Sequence, residues 1–248
     1  MISKFFDIFY LAYLEIKAKY IRSFLGPFWI TLSTCILIGG LSLVFFSIFN
    51  IPLEKTIPWI SSGIITWQVI STTIDESTQS LINDSILNIN QSLFELSLKN
   101  VFKNQIIFYH NIVILIPVFI FFKLEFNIEV FEIFYGFLIL FINSISFMII
   151  LSLLCLRYRD FIMIIKNLLY MIFLITPIFW MPDVLTHNKR FLAELNPLFQ
   201  IIQTVRDPFL GNGISLYNFI FTISFTIFFV MVALFVYHKY KRIFRIWL

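Results

Sequence analysis

A long uncharged stretch near the start of the chain is the feature that most constrains its fold. Residues 23–53 contain no Asp, Glu, Lys or Arg, and a helix needs only ~20 apolar residues to cross a bilayer. The whole chain shares this bias, since 60% of its residues are hydrophobic and 13% are charged, against about 25% charged residues in soluble domains. A soluble core of 248 residues cannot bury that much apolar surface. We therefore expect an all-α integral membrane protein with one transmembrane domain, residues 1–248.

Six apolar runs are long enough to be membrane-spanning helices. The residues between them predict an amphipathic helix lying in the membrane interface (1–24), a polar segment on the same side (77–104) and a longer segment on the opposite side (182–213). Pro177 is expected to kink the fifth span. The predicted spans are residues 29–49, 57–74, 106–122, 133–156, 161–181 and 214–237.

The basic residues predict the orientation of the bundle. Of the 18 Lys and Arg residues, four precede the first span, two lie in the 77–104 segment, three lie in or just after the turn at residues 157–160, and four follow the last span. The opposite side carries the other five. Because short cytoplasmic loops are enriched in Lys and Arg, we expect both termini to be cytoplasmic.

The second predicted span, residues 57–74, is the most polar of the six. Thr66, Trp67 and Gln68 lie near its middle, among further Ser and Thr residues. One interpretation is a helix that lines a translocation path, where the flat indole contacts sugar C–H groups or a lipid. The other is helix packing, in which small polar side chains form hydrogen bonds between helices. The sequence leaves both interpretations open.

Two segments outside the spans contain helix signals. In the 182–213 segment, Asn196 is a good helix cap, Pro197 is tolerated at the first helical position, and Gly211 ends the apolar stripe that follows. We expect a helix on the outer surface or, as we favour, a re-entrant hairpin that forms an outer gate. In the 77–104 segment, an apolar face predicts a helix able to dock a soluble partner. That face consists of Ile86, Ile89, Leu93 and Leu96.

Several classes of function lack the residues they need. No glycine precedes Lys-Ser or Lys-Thr, so the chain has no Walker-type loop for ATP hydrolysis. Ionisable residues are nearly absent from the predicted spans, whereas ion-coupled transporters require them. His110 is the main exception, and we interpret it as a hydrogen-bonded structural residue. Cys35 and Cys155 fall in apolar runs and are interpreted as small hydrophobic side chains. No metal site, carboxylate–histidine cluster or nucleic-acid surface is predicted.

Four motifs lie in register along the chain. Arg22-Ser23-x-x-Gly26-Pro27-x-Trp29 precedes the first span. Arg157-Tyr158-Arg159-Asp160 forms the turn between the fourth and fifth spans, and Pro177-Ile178 follows it. Asn196-Pro197-Leu198, with Arg206 and Gly211 after it, lies in the outer segment, and residues 104–111 begin the third span with His110-Asn111. Together these motifs resemble the permease subunits of polysaccharide ABC exporters, which move lipid-linked O-antigen, capsule or teichoic acid chains.

The resemblance implies a function and a set of partners. It implies a transport subunit, and not an enzyme, that moves an undecaprenyl-pyrophosphate-linked polysaccharide across a bacterial cytoplasmic (inner) membrane. It implies a homodimer surrounded by membrane lipids and bound to two copies of a separate ATPase, so that ATP and Mg²⁺ bind to the partner and this chain needs no cofactor. The 77–104 segment would couple to the ATPase, although between Lys99 and Lys103 the chain departs from the family pattern of prolines or further arginines. The alternatives are a small-molecule or lipid ABC permease, followed by an intramembrane glycolipid-processing enzyme.

Overall fold

All regular secondary structure in the described part of the chain is helical. The computed structural model describes residues 2–87, 92–122, 130–184 and 190–247. Two short 3₁₀ turns lie at Pro182–Val184 and Phe244–Trp247. The α-helices are α1 (Ile2–Lys19), α2 (Phe28–Phe49), α3 (Leu53–Leu87), α4 (Leu93–Ile112), α5 (Leu115–Phe122), α6 (Val130–Arg157), α7 (Asp160–Ile175), α8 (Phe191–Glu194), α9 (Pro197–Phe209) and α10 (Leu216–Tyr240).

Four stretches of the described helices are long and apolar enough to cross a membrane: Phe28–Ile48, Leu93–Phe122, Val130–Arg157 and Leu216–Tyr240. They overlap the first, third, fourth and sixth predicted spans, which agrees with an all-α protein embedded in a membrane. α3 is long enough but more polar, and α7 has only 16 residues. The number of six spans and the cytoplasmic termini therefore remain predictions.

The polar segment predicted at residues 77–104 includes parts of two helices. α3 continues far past residue 74, where the second span was predicted to end. At 1.5 Å per residue its 35 residues reach about 52 Å, well beyond the ~30 Å of bilayer hydrocarbon. α4 begins inside the segment, because Ser92 and Glu95 form a reciprocal capping box. The helix of the third predicted span therefore starts well before residue 106.

The fifth predicted span is shorter than expected. It was predicted to reach residue 181 with a kink at Pro177, but α7 ends at Ile175. A proline disfavours helical backbone at the residue before it, and Thr176 is extended. Pro177 therefore follows the end of a helix, and the prediction of a kinked helix running through it is wrong.

α6 lies at the centre of the bundle and packs against α3, α4, α9 and α10. Gly136 of α6 allows an especially close approach of α9, because a Cβ atom at this position would collide with the carbonyl oxygen of Thr204. α7 is the opposite case. None of its residues is buried, and its main packing partner is α3.

The first and last helical segments pack at the same end of the bundle. Ala12 of α1 packs against Phe102 of α4, and Phe244 packs in a cluster with Leu93 and Leu96. We call this the terminal end of the bundle. α9, the turn before α10 and the residues after α7 lie at the opposite end, which we call the α9 end.

Candidate functional site

A groove of about 560 Å³ runs between α2, α3 and α7. α3 forms its polar floor, because Gln68, Ser71 and Asp75 are spaced three or four residues apart and therefore share one helix face. Tyr170 and Phe173 of α7 form an aromatic wall. This groove combines hydrogen-bonding groups with flat aromatic surfaces, which is the mixture that a ligand with both hydroxyl and C–H surfaces requires.

A row of four aromatic rings begins in the groove and continues toward the α9 end. The ring centroids of Trp67 and Phe173 are 5.7 Å apart, those of Phe173 and Phe179 are 5.2 Å apart, and those of Phe179 and Phe45 are 5.2 Å apart. The row connects α3, α7, the segment after α7 and α2. These spacings lie in the range of favourable aromatic pairs.

The three residues predicted to line a path do not share one environment. Trp67 and Gln68 line the groove. Thr66 is fully buried and its hydroxyl donates to the carbonyl oxygen of Ser62 at 2.8 Å. The structure therefore brings two of the three residues to the groove and places Thr66 inside the bundle.

Gln68 also belongs to a polar network that joins α2, α3 and α4. Its Nε2 atom donates to the Thr34 hydroxyl at 3.0 Å, and Nδ2 of Asn111 donates to Oε1 of Gln68 at 3.0 Å. The Thr31 hydroxyl lies 2.7 Å from Nδ1 of His110, so the interpretation of His110 as a hydrogen-bonded residue is confirmed. The helix-packing interpretation of the polar second span holds for Gln68, whose side chain fixes the α2 side of the groove.

A charged cavity of about 230 Å³ adjoins the groove and shares Asp75 and Lys166 with it. Nζ of Lys103 lies 3.1 Å from a carboxylate oxygen of Glu15 and 3.1 Å from one of Glu76. Lys99 pairs with Glu15 at 3.2 Å. We call these four residues, Glu15, Glu76, Lys99 and Lys103, the ion-pair cluster. It ties α1 to α3 and α4, and sequence reasoning did not find it because its members lie on three separate helices.

The two lysines change the titration of Glu15. Partial burial alone would raise the pKa of this carboxyl group, but Lys103 and Lys99 outweigh burial and hold the pKa below its ordinary value of 4.5. A carboxylate with a lowered pKa stabilises the fold above its unfolded-state pKa, and this stabilisation is lost as the pH falls through the lower, folded-state pKa. The cluster therefore stabilises the attachment of α1 at neutral pH and weakens below about pH 4.5.

Replacing Lys103 with methionine is expected to destabilise the protein by about 1–2 kcal/mol, because Glu15 and Glu76 would remain partly buried without this cation. Thermal unfolding in detergent, measured at pH 7 and pH 4, would show the loss. The variant should also depend less on pH than the wild type. Lys166→Met is the matched control, since Lys166 pairs with Asp75 at 3.5 Å in a more exposed position and should change stability by less than about 0.5 kcal/mol. Equal stabilities of the Lys103 and Lys166 variants would contradict a structural role for the cluster.

The motif at residues 22–29 forms the turn between α1 and α2. Gly26 has a positive φ of 55°, a conformation that residues with a Cβ atom rarely adopt, and Pro27 lies directly before the first residue of α2. The predicted break in the backbone is therefore confirmed. Arg22 is exposed, Ser23 is half-buried and Trp29 is exposed, so this turn is a surface feature of the isolated chain.

α9 begins and ends where its sequence signals predicted. Oδ1 of Asn196 accepts hydrogen bonds from the backbone N–H groups of Leu198 and Phe199 at 3.0 and 3.3 Å, and Pro197 is the first helical residue. Gly211 follows the helix with a positive φ of 74°. The predicted helix is confirmed, while its role as a gate remains a prediction.

Arg206 is the most deeply buried charged side chain in the described residues. Its guanidinium donates to the carbonyl oxygens of Pro177 and Ile178, each at 3.0 Å, and lies 3.9 Å from the ring centroid of Trp59. Gly63 makes room for it, because a Cβ atom there would collide with the guanidinium. We call this arrangement the Arg206 clamp. It fixes the chain after α7 to both α3 and α9.

The remaining predicted site residues lie at the terminal end. Arg157, Tyr158, Arg159 and Asp160 form an exposed turn between α6 and α7. Leu93 and Leu96 are buried in the core, so they do not present a surface to a partner. Ile89 and the side chain of Ile86 lie outside the described residues.

No protein-family model and no curated protein matches the chain. The assignment of function therefore depends on the geometry of the groove and on the motifs described above.

Proposed function

We propose that the chain is the membrane-spanning subunit of an ABC exporter for a lipid-linked polysaccharide, driven by a separate ATPase subunit. The observation that carries the proposal is the groove between α2, α3 and α7, with its polar floor and aromatic row. Sugar rings present hydroxyl groups at their edges and C–H groups on their faces. The floor offers hydrogen bonds to the former, and the rings of Trp67 and Tyr170 offer flat contact surfaces to the latter.

The open side of the groove supports a dimer. A floor that contains Gln68, Ser71 and Asp75 is unfavourable when it faces lipid, because polar and ionisable side chains within a membrane favour the bundle interior or a water-filled cavity. In this proposal α7 and residues 57–74 of α3 complete a set of six spans. A second copy of the chain covers the groove, and the two grooves form one channel. The exposed face of α7, a helix with no fully buried residue, lies beside that channel.

The two ends of the groove support separate roles. At the α9 end, the Arg206 clamp and the capped helix at Asn196 hold a compact layer that serves as the outer gate. At the terminal end, α1 and the hairpin of α3 and α4 form the surface for the ATPase. The ion-pair cluster joins these elements, and the Asp75–Lys166 pair continues it into the groove. A movement of α1 against the hairpin of α3 and α4 would therefore be transmitted to the groove through these charged contacts.

Purification of the full chain from its own membrane tests the assembly. We expect two copies of the chain together with two copies of a protein that contains a Walker-type loop, measured by native mass spectrometry. Deletion of the gene should leave lipid-linked polysaccharide on the cytoplasmic side of the membrane. A lone monomer that recruits no ATPase, or unchanged surface polysaccharide in the deletion strain, would contradict the proposal.

Tyr170→Ala and Trp67→Ala are expected to reduce polysaccharide export about three- to tenfold, because an aromatic contact contributes about 0.5–1.5 kcal/mol. Tyr170 is 75% exposed, so its replacement leaves the packing of the bundle intact, whereas Trp67 is also part of the core. Surface polysaccharide per unit of membrane-inserted protein is the measurement. Phe235→Ala, an exposed position on α10, is the control and should export normally. Normal export by the Tyr170 variant would remove this face of α7 from the path.

A further inference from the structure

A separate cavity of about 340 Å³ lies at the terminal end, between the last turns of α6 and α10 and the 3₁₀ turn Phe244–Trp247. It shares no lining residue with the groove. Its interior is apolar and contains Leu153, Leu154 and Val236. Its polar rim consists of Arg157, Tyr158, Tyr240 and Trp247.

Two aromatic rings lie near the Arg157 guanidinium at this rim. The guanidinium carbon lies 5.0 Å from the ring centroid of Trp247 and 5.9 Å from that of Tyr158. The rings of Tyr240 and Trp247 are in contact, with centroids 5.1 Å apart. None of the ion pairs found in the described ranges involves Arg157. Arg157 therefore presents a cation with several N–H donors beside an apolar cavity.

The length of α6 places the cavity at the depth of lipid headgroups when α6 spans the bilayer. From Glu132 to Arg157, α6 rises about 37 Å, which is more than the ~30 Å of hydrocarbon but less than the ~40–45 Å that includes both headgroup layers. When Glu132 lies at one interface, Arg157 reaches the headgroups of the other, and Leu153 and Leu154 lie near the edge of the hydrocarbon. α10 ends beside α6, with Lys239 in its last turn.

We propose that this cavity binds one anionic glycerophospholipid, with an acyl chain against the apolar interior and the phosphate on Arg157. The chemistry of the rim agrees with this occupant, because Trp and Tyr favour the membrane interface and basic pockets between membrane helices bind anionic headgroups. A free phosphate ion would leave the apolar interior unfilled. The bound lipid fixes the 3₁₀ turn Phe244–Trp247 against α6 and α10. This proposal depends on the membrane-spanning helices and is independent of the proposed export function.

A neighbouring cavity isolates the contribution of the charge. It has a volume of about 290 Å³ and lies between α4, α6 and α10. Most of its lining residues are apolar, such as Ile145, Ile149 and Leu234, and they include His238 but no Lys or Arg. Both cavities adjoin α6 and α10, but among their described lining residues only Arg157 is a side chain that stays charged at every working pH. An anionic lipid should therefore prefer the cavity at Arg157.

Native mass spectrometry of the purified full chain tests the proposal, with equal amounts of phosphatidylglycerol and phosphatidylcholine added as probes. We expect the wild type to retain phosphatidylglycerol about fivefold better, since one Arg near an anionic surface contributes a factor of this size. Arg157→Gln should remove that preference, whereas Arg159→Gln, on the same exposed turn, should keep it. Leu154→Trp should fill the cavity and reduce retention, whereas Leu234→Trp, in the neighbouring cavity, should not.

Three results would overturn the proposal. The first is equal retention of both lipids by the wild type. The second is unchanged retention of phosphatidylglycerol by both Arg157→Gln and Leu154→Trp. The third is displacement of the lipid by millimolar inorganic phosphate, because this would indicate a site for a soluble anion. If Arg157→Gln is not monodisperse after purification, Leu154→Trp decides the result alone, because it keeps the charge and changes only the cavity.

Discussion

Replacing Arg206 with alanine is expected to lower the apparent melting temperature in detergent by on the order of 10 °C, since loss of the clamp costs about 3–5 kcal/mol. The carbonyl oxygens of Pro177 and Ile178 follow the end of α7 and have no place in a helical hydrogen-bond ladder. Arg206 donates to both of them, and without it they remain buried without these donors. The ring of Trp59 would also lose the cation that lies against it.

Two further variants separate the geometry of the Arg206 clamp from its charge. Lysine keeps the charge but lacks a planar guanidinium that can lie flat on the indole while it donates to both carbonyl oxygens, so Arg206→Lys should recover only part of the loss. Gly63→Ala keeps the charge of Arg206 but fills the space that its guanidinium occupies, so it should disturb the geometry of the clamp. Arg190→Ala is the control, because its ion pair with Asp183 is exposed and contributes little. If Arg206→Ala melts like the wild type, the clamp contributes nothing to stability.

The features of the fold that sequence predicted correctly are local ones. Asn196 and Pro197 specify the start of α9 through contacts within one helical turn, and Gly26 permits the turn before α2 through its own backbone conformation. The apolar runs likewise predict the long helices, because lipid accepts the backbone only in helical form at these lengths. Each of these signals lies within a few residues of the structure that it determines.

The features that sequence did not predict depend on contacts between distant residues. Arg206 was identified as part of a motif, but its partners lie 28 and 29 positions away and the space it needs is provided by Gly63. With 33 Phe residues in the chain, no pattern indicated that Phe173 and Phe179 continue a row from Trp67. Thr66 and Gln68 look alike in the polar span, yet the direction of each side chain on α3 decides which one reaches the groove.

Replacing Gly136 with alanine is expected to separate α6 from α9 and to destabilise the protein by about 3 kcal/mol, at the upper end of the range for overpacked cores. The atom that a new Cβ would meet is the carbonyl oxygen of Thr204, which cannot move unless α9 moves with it. Thermal unfolding in detergent measures the effect. Gly40→Ala is the matched control, because it lies inside α2 with no atom near its added Cβ, and the better helix propensity of alanine should leave it neutral or up to about 1 kcal/mol more stable.

The effects of Gly136 and Arg206 should not be independent, because α9 carries both Thr204 and Arg206. A displacement of α9 by alanine at position 136 moves the Arg206 guanidinium away from Ile178 and so removes part of the clamp. The double variant Gly136→Ala with Arg206→Ala should therefore lose less stability than the two single variants together, by about 0.5–3 kcal/mol in a double-mutant cycle. Additivity within about 0.5 kcal/mol would show that α6 positions α9 without affecting the clamp. A clear coupling would show that the two contacts of α9 act as a single unit. One is its contact with α6, the other is the Arg206 clamp, and together they fix the chain after α7.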